Sequence, residues 1–265
     1  MVKACHIKSY KTNGNYTNEV ISTFLKAKNF VEKNNLMSLS GISNSKIIFC
    51  NEDDFYSTYN SDRHGLNNPD HVWDKKDFIE ELSKFSVPVL RPLNYPDITP
   101  GRGAIDIGPI AVINLIGRVF MGEYDSPFTA IDNLLSTGFG KGKPIFVDLH
   151  AETTSEKAAM GWYLDGKVTA LVGTHTHVPT ADAQLFPGGT GYMSDTGMCG
   201  DYNSVIGMNR DNSLKRFLKD SSVKKHYPAL GKATISGLMV QADDETGLAK
   251  KIEPIIVGGV LENKI

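Results

Sequence analysis

The sequence predicts a mixed α/β (α+β) fold in one domain, with layers of β-sheet covered by helices. The first observation is three apolar runs of strand length, Ala111 to Leu115, Pro144 to Leu149 and Thr169 to Val172. The second is the helix-like segment Pro127 to Leu135, which separates the first two runs. Such alternation is typical of sheets that carry helices on their faces. We therefore expect a single domain over residues 1–265.

Turn-forming residues bound the other predicted elements. A Pro- and Gly-containing loop spans Arg91 to Gly103, and a turn-rich segment spans Pro179 to Gly200. In the first part of the chain, we predict a helix at Asn18 to Glu32, a strand at Lys46 to Cys50, a helix at Asp77 to Phe85 and a strand at Val87 to Leu90. Towards the C-terminus, we predict a helix near Ser213 to Leu218 and strands at Thr234 to Ala242 and Lys250 to Val257. Few signals come from residues 1–69, which are rich in Asn, Ser, Lys and Tyr.

Composition excludes several classes of function. The chain has 28 Lys and Arg against 30 Asp and Glu, a net charge of −2, so it lacks the cationic surplus that binds long nucleic acids. Its three cysteines (Cys5, Cys50 and Cys199) form no C-x-x-C pair, which excludes a disulfide framework and a thiolate zinc site. No apolar run approaches the roughly 20 residues of a membrane span, and the N-terminus lacks an apolar signal region. We expect a cytoplasmic protein with no membrane partner.

Histidines placed directly after apolar strands indicate a metal site. His150 ends one strand, and Gly173-Thr174-His175-Thr176-His177 follows the next. In an extended segment residues i and i+2 point to the same side, so we expect His175 and His177 to project together, with Gly173 allowing a ligand to approach the backbone. Neutral imidazole is a common ligand of zinc, iron and other transition metals.

Two neighbouring segments carry further candidate residues. Glu152, Glu156 and Lys157 adjoin helix-capping residues, which favours the start of a solvated helix over a catalytic role. Asp70 and His71 lie in a loop, where an oxygen ligand and a proton donor would stand side by side.

Several strings resemble a known family, the bacterial YmdB-type metallophosphoesterases, which are similar to calcineurin-like phosphoesterases. They are HVWDKKDF from His71, LRPLNYP from Leu90, DLHAETTSEK from Asp148, GTHTHVPTAD from Gly173 and SDTGMCG from Ser194. The resemblance covers residues 70–265 and leaves 1–69 as a divergent N-terminal part. It implies a four-layer αββα sandwich and a cytoplasmic homo-oligomer. It also implies two transition-metal ions, iron or manganese, with zinc as a further candidate, and activity on 2′,3′-cyclic nucleotides.

Carried over by position, the resemblance implies roles for single residues. His150 and His175 match histidines of the second metal site, and His177 matches a histidine of the first. His71 matches a histidine that acts on the substrate, which makes it the catalytic candidate. Asp70 stands where the family has a ligand asparagine, so it keeps an oxygen donor and adds a negative charge.

The N-terminal region departs from the family pattern. Family members begin with a strand that ends in Gly-Asp, whose aspartate binds the first metal, but Met1 to Asn18 contains no acidic residue. Their bridging glutamate is best matched by Glu52, with Asp53 as the neighbouring ligand. A rival alignment uses Asn60 to Gly65 and leaves no bridging carboxylate.

The leading hypothesis is therefore a metal-dependent phosphodiesterase in which two metal ions activate a hydroxide against a small phosphodiester or cyclic nucleotide. The alternative is a degenerate member with an incomplete metal site, acting as a regulatory or nucleotide-binding protein. A zinc amidohydrolase would also use His-x-His, but the flanking strings do not support it. Asp182 and Asp195 are candidates for orienting imidazole N–H groups, or equally for capping turns.

Overall fold

The computed structural model describes residues 89–223 and 227–262, together with the strands at Val2–Cys5 and Ile48–Phe49. The helices predicted at 18–32 and 77–85 lie outside these residues, and so do Glu52, Asp53, Asp70 and His71. Their predicted roles stay predictions.

The described residues form short strands and three helices. The strands are β1 (Val2–Cys5), β2 (Ile48–Phe49), β3 (Val89–Leu90), β4 (Ala104–Ile107), β5 (Ile110–Ile116), β6 (Ile145–His150), β7 (Ala170–Thr174), β8 (Gln184–Leu185), β9 (Gly191–Met193), β10 (Thr234–Ala242) and β11 (Ala249–Gly258). The helices are α1 (Pro127–Ser136), α2 (Thr154–Tyr163) and α3 (Arg210–Phe217).

Among the described strands, the largest sheet has six members in the order β4-β5-β6-β7-β9-β8. β5, β6, β7 and β9 run parallel, while β4 and β8 pair antiparallel at its two edges. A second sheet, β1-β10-β11, is antiparallel, and β2 pairs with β3 in parallel. The strands at β5, β6, β7, β10 and β11 were predicted, whereas β8 and β9 lie in the segment predicted to be turns.

The two faces of the six-stranded sheet bury different partners, because successive strand residues point to opposite sides. From β5, Ile113 packs in one cluster with Ile131 of α1 and Met160 of α2. Its neighbour Val112 packs in another cluster with Leu238 of β10. Helices α1 and α2 thus share a cluster with one face of β5, and β10 shares a cluster with the other face. The mixed α/β prediction is confirmed, and the four-layer sandwich stays a prediction.

Capping residues determine where α1 and α2 begin. The Ser126 hydroxyl accepts from the Thr129 backbone N–H, and Pro127 occupies the first turn, where its missing N–H costs nothing. The Thr153 hydroxyl caps α2 in the same way by accepting from the Glu156 N–H. None of the helices in the described ranges is both long and apolar enough to span a bilayer.

Candidate metal centre

Polar side chains occupy the carboxyl ends of three adjacent parallel strands, β5, β6 and β7. Asn114 lies opposite Asp148 in the register, and His150 lies opposite Thr174. By strand alternation, all four share the face on which Val112 packs. All four are almost fully buried. Because buried polar groups need partners, this edge of the sheet must contain a hydrogen-bonded network.

The network runs from a carboxylate to an imidazole through a hydroxyl. The Asp148 carboxylate accepts from Asn114 Nδ2 at 3.2 Å and from Thr174 Oγ1 at 2.9 Å. Thr174 Oγ1 also lies 3.2 Å from His150 Nδ1. Since the hydroxyl proton is donated to Asp148, the oxygen accepts from a protonated Nδ1. Neutral His150 therefore carries its lone pair on Nε2, the tautomer of a metal ligand that coordinates through Nε2.

His175 approaches that lone pair directly. Its Nδ1 lies 3.0 Å from His150 Nε2, and its Nε2 lies 2.7 Å from Glu152 Oε2. When Nε2–H is donated to the carboxylate, the neutral ring presents its lone pair at Nδ1. Two lone pairs would then face each other at 3.0 Å, an arrangement that needs a proton or a cation to be stable.

The facing nitrogens fit one metal ion. Ligands at the 2.0–2.1 Å of a zinc–imidazole bond, with angles between octahedral and tetrahedral, stand about 2.9–3.4 Å apart. The separation of His150 Nε2 and His175 Nδ1, 3.0 Å, lies within that interval. Among the described residues, however, no group of three or more His, Cys, Asp or Glu side chains is arranged to hold a metal. Further ligands would have to come from other parts of the chain, and Glu52, Asp53 and Asp70 are the predicted ones.

His177 is anchored by the backbone of Ile206. Its ring is buried, and its Nδ1 lies 2.8 Å from the Ile206 carbonyl oxygen, so Nδ1 is the donor and the neutral ring has its lone pair on Nε2. β7 ends at Thr174, and both His175 (φ 111°) and His177 (φ 67°) have positive φ. The two residues therefore do not lie in an extended strand, as the i and i+2 argument assumed, and the relative direction of their rings stays a prediction.

Gly173 serves a different purpose from the one predicted. A Cβ built on it would lie 1.8 Å from the Ser194 carbonyl oxygen, so the space beside it is filled by the chain itself. The glycine allows the segment at Ser194 to pack against β7, and the Gly173 carbonyl accepts from Thr196 N at 3.0 Å. The sequence predicted that Gly173 lets a ligand approach the backbone, but the group that lies close to it is the backbone of Ser194.

Asp182 and Asp195 organise the loops around the histidines. Asp182 Oδ1 accepts from Thr180 Oγ1 at 2.7 Å and from the Ser194 N–H at 3.1 Å. Partial burial would raise the pKa of Asp182, but hydrogen bonds from Thr180 and Ser194 outweigh it and hold that pKa below its ordinary value. Asp195 accepts from the N–H and the hydroxyl of Thr176. These bonds go to loop backbone and hydroxyl groups rather than to imidazole nitrogens.

Lys157 corrects another expectation. The residue was predicted in the exposed start of a helix, but its side chain is completely buried and pairs with Asp195 at 3.1 Å. Glu156 is half-buried and accepts from the Arg118 and Val119 N–H groups, so it too contacts protein. Glu152 alone of the three is exposed, beside His175.

Sequence reasoning missed Asp148, Thr174 and Asn114. One signal was present, because Asp148 is a charged residue inside the apolar run Ile145 to Leu149. A buried carboxylate in such a strand needs donors on neighbouring strands. Thr174 and Asn114 carry no signal of their own, since their role depends on the strand register.

The chain resembles known proteins over most of its length. A family model described as YmdB-like protein matches residues 51–255. The chain belongs to the YmdB-like family. A 2′,3′-cyclic-nucleotide 2′-phosphodiesterase of Bacillus subtilis is 42% identical to this YmdB-like chain over 210 residues, which are 77% of this chain and 78% of that protein.

Solved structures resemble this YmdB-like chain as well. A crystal structure of a hypothetical protein from Thermus thermophilus has a TM-score of 0.63 at 36% identity, covering 80% of this chain and 82% of its own. A crystal structure of a phosphatase from Mycoplasma pneumoniae has a TM-score of 0.65 at 27% identity, covering 87% and 88%. Family membership confirms the resemblance predicted from the motifs, and the named relatives confirm the prediction of an enzyme.

Proposed function

We propose that the chain is a metal-dependent phosphodiesterase that hydrolyses 2′,3′-cyclic nucleotides to 3′-nucleotides. The observation that carries the proposal is the pair of imidazole nitrogens of His150 and His175, which face each other at 3.0 Å. Their outer nitrogens are held by Thr174 and Glu152. A cation between the rings would satisfy both lone pairs. The Bacillus subtilis relative, named for this activity, supports the choice of substrate.

The reaction consumes one water. The water oxygen forms a bond to phosphorus, the bond from phosphorus to the 2′ oxygen breaks, and a proton is transferred to the leaving 2′ oxygen. When bound, two transition-metal ions, with iron or manganese as the first candidates, would supply positive charge that polarises the phosphate and lowers the pKa of the attacking water. His150 and His175 would hold one of them, and His177 would contribute to the other.

Carboxylates and a proton donor complete the proposed site. Glu52, Asp53 and Asp70 are the proposed oxygen ligands, because the resemblance aligns Glu52 best with the bridging glutamate, Asp53 with its neighbour and Asp70 with a ligand asparagine. His71 would donate the proton to the 2′ oxygen or stabilise the charge on the phosphate. General acid catalysis of this kind contributes about 10²–10⁴-fold in rate. A cyclic nucleotide also suits a chain of net charge −2, because a small ligand needs a pocket rather than a cationic groove.

Two measurements on the purified chain test the proposal. Elemental analysis would give metal ions per chain, with iron, manganese and zinc counted together, and chromatography would follow conversion of 2′,3′-cyclic AMP to 3′-AMP. We expect two ions and turnover, and we expect His150→Ala to lose both metal and activity. Turnover that survives complete removal of metal by a chelator would refute the proposal. One ion or none, without turnover, would favour the degenerate regulatory member instead.

His71→Ala tests the proposed proton donor separately. We expect turnover to fall by about 10²–10⁴-fold while metal content is unchanged. Loss of metal together with turnover would mean that His71 is a ligand.

The setting of the enzyme is part of the proposal. We infer action in the cytoplasm on a small soluble substrate, without a membrane or long nucleic acid as partner, and assembly as a homo-oligomer. Light scattering at several protein concentrations would measure the assembly.

A further inference from the structure

A buried ion pair lies beneath the loop that carries His175 and His177. Lys157 Nζ and Asp195 Oδ2 are 3.1 Å apart, with side-chain exposures of 0% and 2%. The lysine stem packs against Gly173, since a Cβ there would lie 2.8 Å from Lys157 Cδ. Charged groups are rarely buried this completely unless they are paired, because each one loses its hydration.

The Asp195 carboxylate binds the loop between the two histidines. Its Oδ2 accepts from Thr176 N at 3.0 Å and from Thr176 Oγ1 at 2.8 Å, and its Oδ1 accepts from Gly197 N at 2.8 Å. The backbone of Asp195 holds the end of the same loop, because its carbonyl accepts from Thr180 N and its N–H donates to Thr180 Oγ1. Bonds to an ionised acceptor are stronger than neutral ones, so the loop is fixed at its centre.

The loop needs such fixing because its backbone is strained. His175 has a φ of 111° and His177 a φ of 67°, in the region that residues other than glycine rarely adopt. Conformations of this kind persist only where the surrounding structure imposes them. Thr176 is the residue between the two, and its N–H and hydroxyl are both bound by one carboxylate oxygen.

We propose that the Lys157–Asp195 pair is a positioning device, which holds the strained His175-Thr176-His177 loop in its ligating conformation before metal binds. Lys157 holds the Asp195 carboxylate in place, and Asp195 fixes the Thr176 peptide so that His175 faces His150. In this proposal both are positioning residues that act through the Thr176 peptide rather than as ligands. The inference rests on the proposed function, because it concerns the same metal site.

Removing both charges separates folding from positioning. Deleting one member of a buried pair leaves a lone buried charge, so Lys157→Met and Asp195→Asn should each lower the melting temperature by roughly 5–15 °C. The double variant should recover most of that loss, because neutral pairs of similar size often replace buried ion pairs. Its affinity for Co²⁺, measured by calorimetry on metal-free protein, should nevertheless stay about 10–100-fold below that of the parent. The visible absorption spectrum of bound Co²⁺ should also change.

Thr176 offers a matched pair of milder variants. Thr176→Val removes the hydroxyl that donates to Asp195 and keeps the shape, whereas Thr176→Ser keeps the hydroxyl. We expect weaker Co²⁺ binding for the valine variant and binding near that of the parent for the serine variant. A folded double variant, or a folded Thr176→Val variant, with parental Co²⁺ affinity and spectrum would overturn the inference. Failure of the parent itself to bind Co²⁺ would instead overturn the proposed function.

Discussion

The hydroxyl of Thr174 provides the sharpest test of how the candidate site is built. Thr174→Val replaces that hydroxyl by a methyl group of similar size in a residue that is only 4% exposed. The change removes the 2.9 Å bond to Asp148 and the 3.2 Å contact with His150 Nδ1. Asp148 keeps its bond from Asn114, but the imidazole loses the acceptor that selects its tautomer.

The structure gives the expected size of the effect. A hydrogen bond to a charged group contributes about 1.5–3 kcal/mol, and a buried donor without its acceptor costs about 1–3 kcal/mol. We therefore expect the free energy of unfolding to fall by about 2.5–6 kcal/mol in Thr174→Val, the sum of the two effects. Groups that orient a ligand histidine typically contribute about 10–100-fold to metal affinity. The affinity of the valine variant for Mn²⁺ should therefore be about 10–100-fold lower than that of the parent.

Chemical denaturation and calorimetric titration of metal-free protein with Mn²⁺ measure the two quantities. Thr174→Ser is the control, because it keeps the hydroxyl and loses one methyl group, at a cost of about 0.5–1.5 kcal/mol. The valine variant should bind Mn²⁺ more weakly than the serine variant. Equal Mn²⁺ affinity in the two variants would refute the role of Thr174 in orienting His150.

Three further predictions follow from backbone packing, charge and the core. Gly173→Ala should lower the free energy of unfolding by at least about 1–3 kcal/mol, because the new Cβ would overlap the Ser194 carbonyl. Gly200→Ala is the control, because its Cβ would make only an ordinary 3.8 Å contact with Met198 Sδ and should change the stability little; denaturant melts of both variants measure this. Asp182→Asn should be less stable than the parent at pH 7, because an aspartate with a lowered pKa stabilises the fold while it is ionised. The difference in stability should shrink as the pH falls below about 4, where the parent carboxylate becomes protonated. Melting temperatures of both proteins between pH 2 and pH 7 would measure this difference. Leu171→Ala should cost about 2–5 kcal/mol in a denaturant melt, since Leu171 is fully buried under the helices.

Each of these predictions can fail in a distinct way. Equal stability of Gly173→Ala and Gly200→Ala would mean that the chain at Ser194 does not pack against β7 as described. A stability difference for Asp182→Asn that stays constant down to pH 2 would mean that the carboxylate charge is not what stabilises the loops. A loss below about 1 kcal/mol for Leu171→Ala would place that side chain outside a packed core.

Local pattern was enough for most of the fold that the structure describes. The apolar runs at β5, β6 and β7 were predicted from sequence, and β10 has the predicted bounds, Thr234–Ala242. β8 and β9 were missed because they have two and three residues, too few for a periodic signal. Such strands form because neighbouring strands pair with them, so they depend on tertiary context.

The candidate site divides in the same way. Sequence reasoning found His150, His175 and His177, because histidines at strand ends belong to strong motifs. It expected His175 and His177 in an extended strand, but the strand ends before them and their backbone turns to positive φ. It also placed Lys157 in solvent, because nothing local reveals that Asp195, which is 38 positions later, lies under the same helix.

The sequence by itself determined the fold class, the family and the identity of the histidines, because strand periodicity and motif strings are properties of neighbouring residues. Only the tertiary structure decided which nitrogen of His150 carries the proton. It did so by setting Thr174 and Asp148 beside that ring through the register of β6 and β7. Register and burial are set by packing between distant segments, and the chemistry of a buried imidazole or ion pair depends on the partners that this packing supplies.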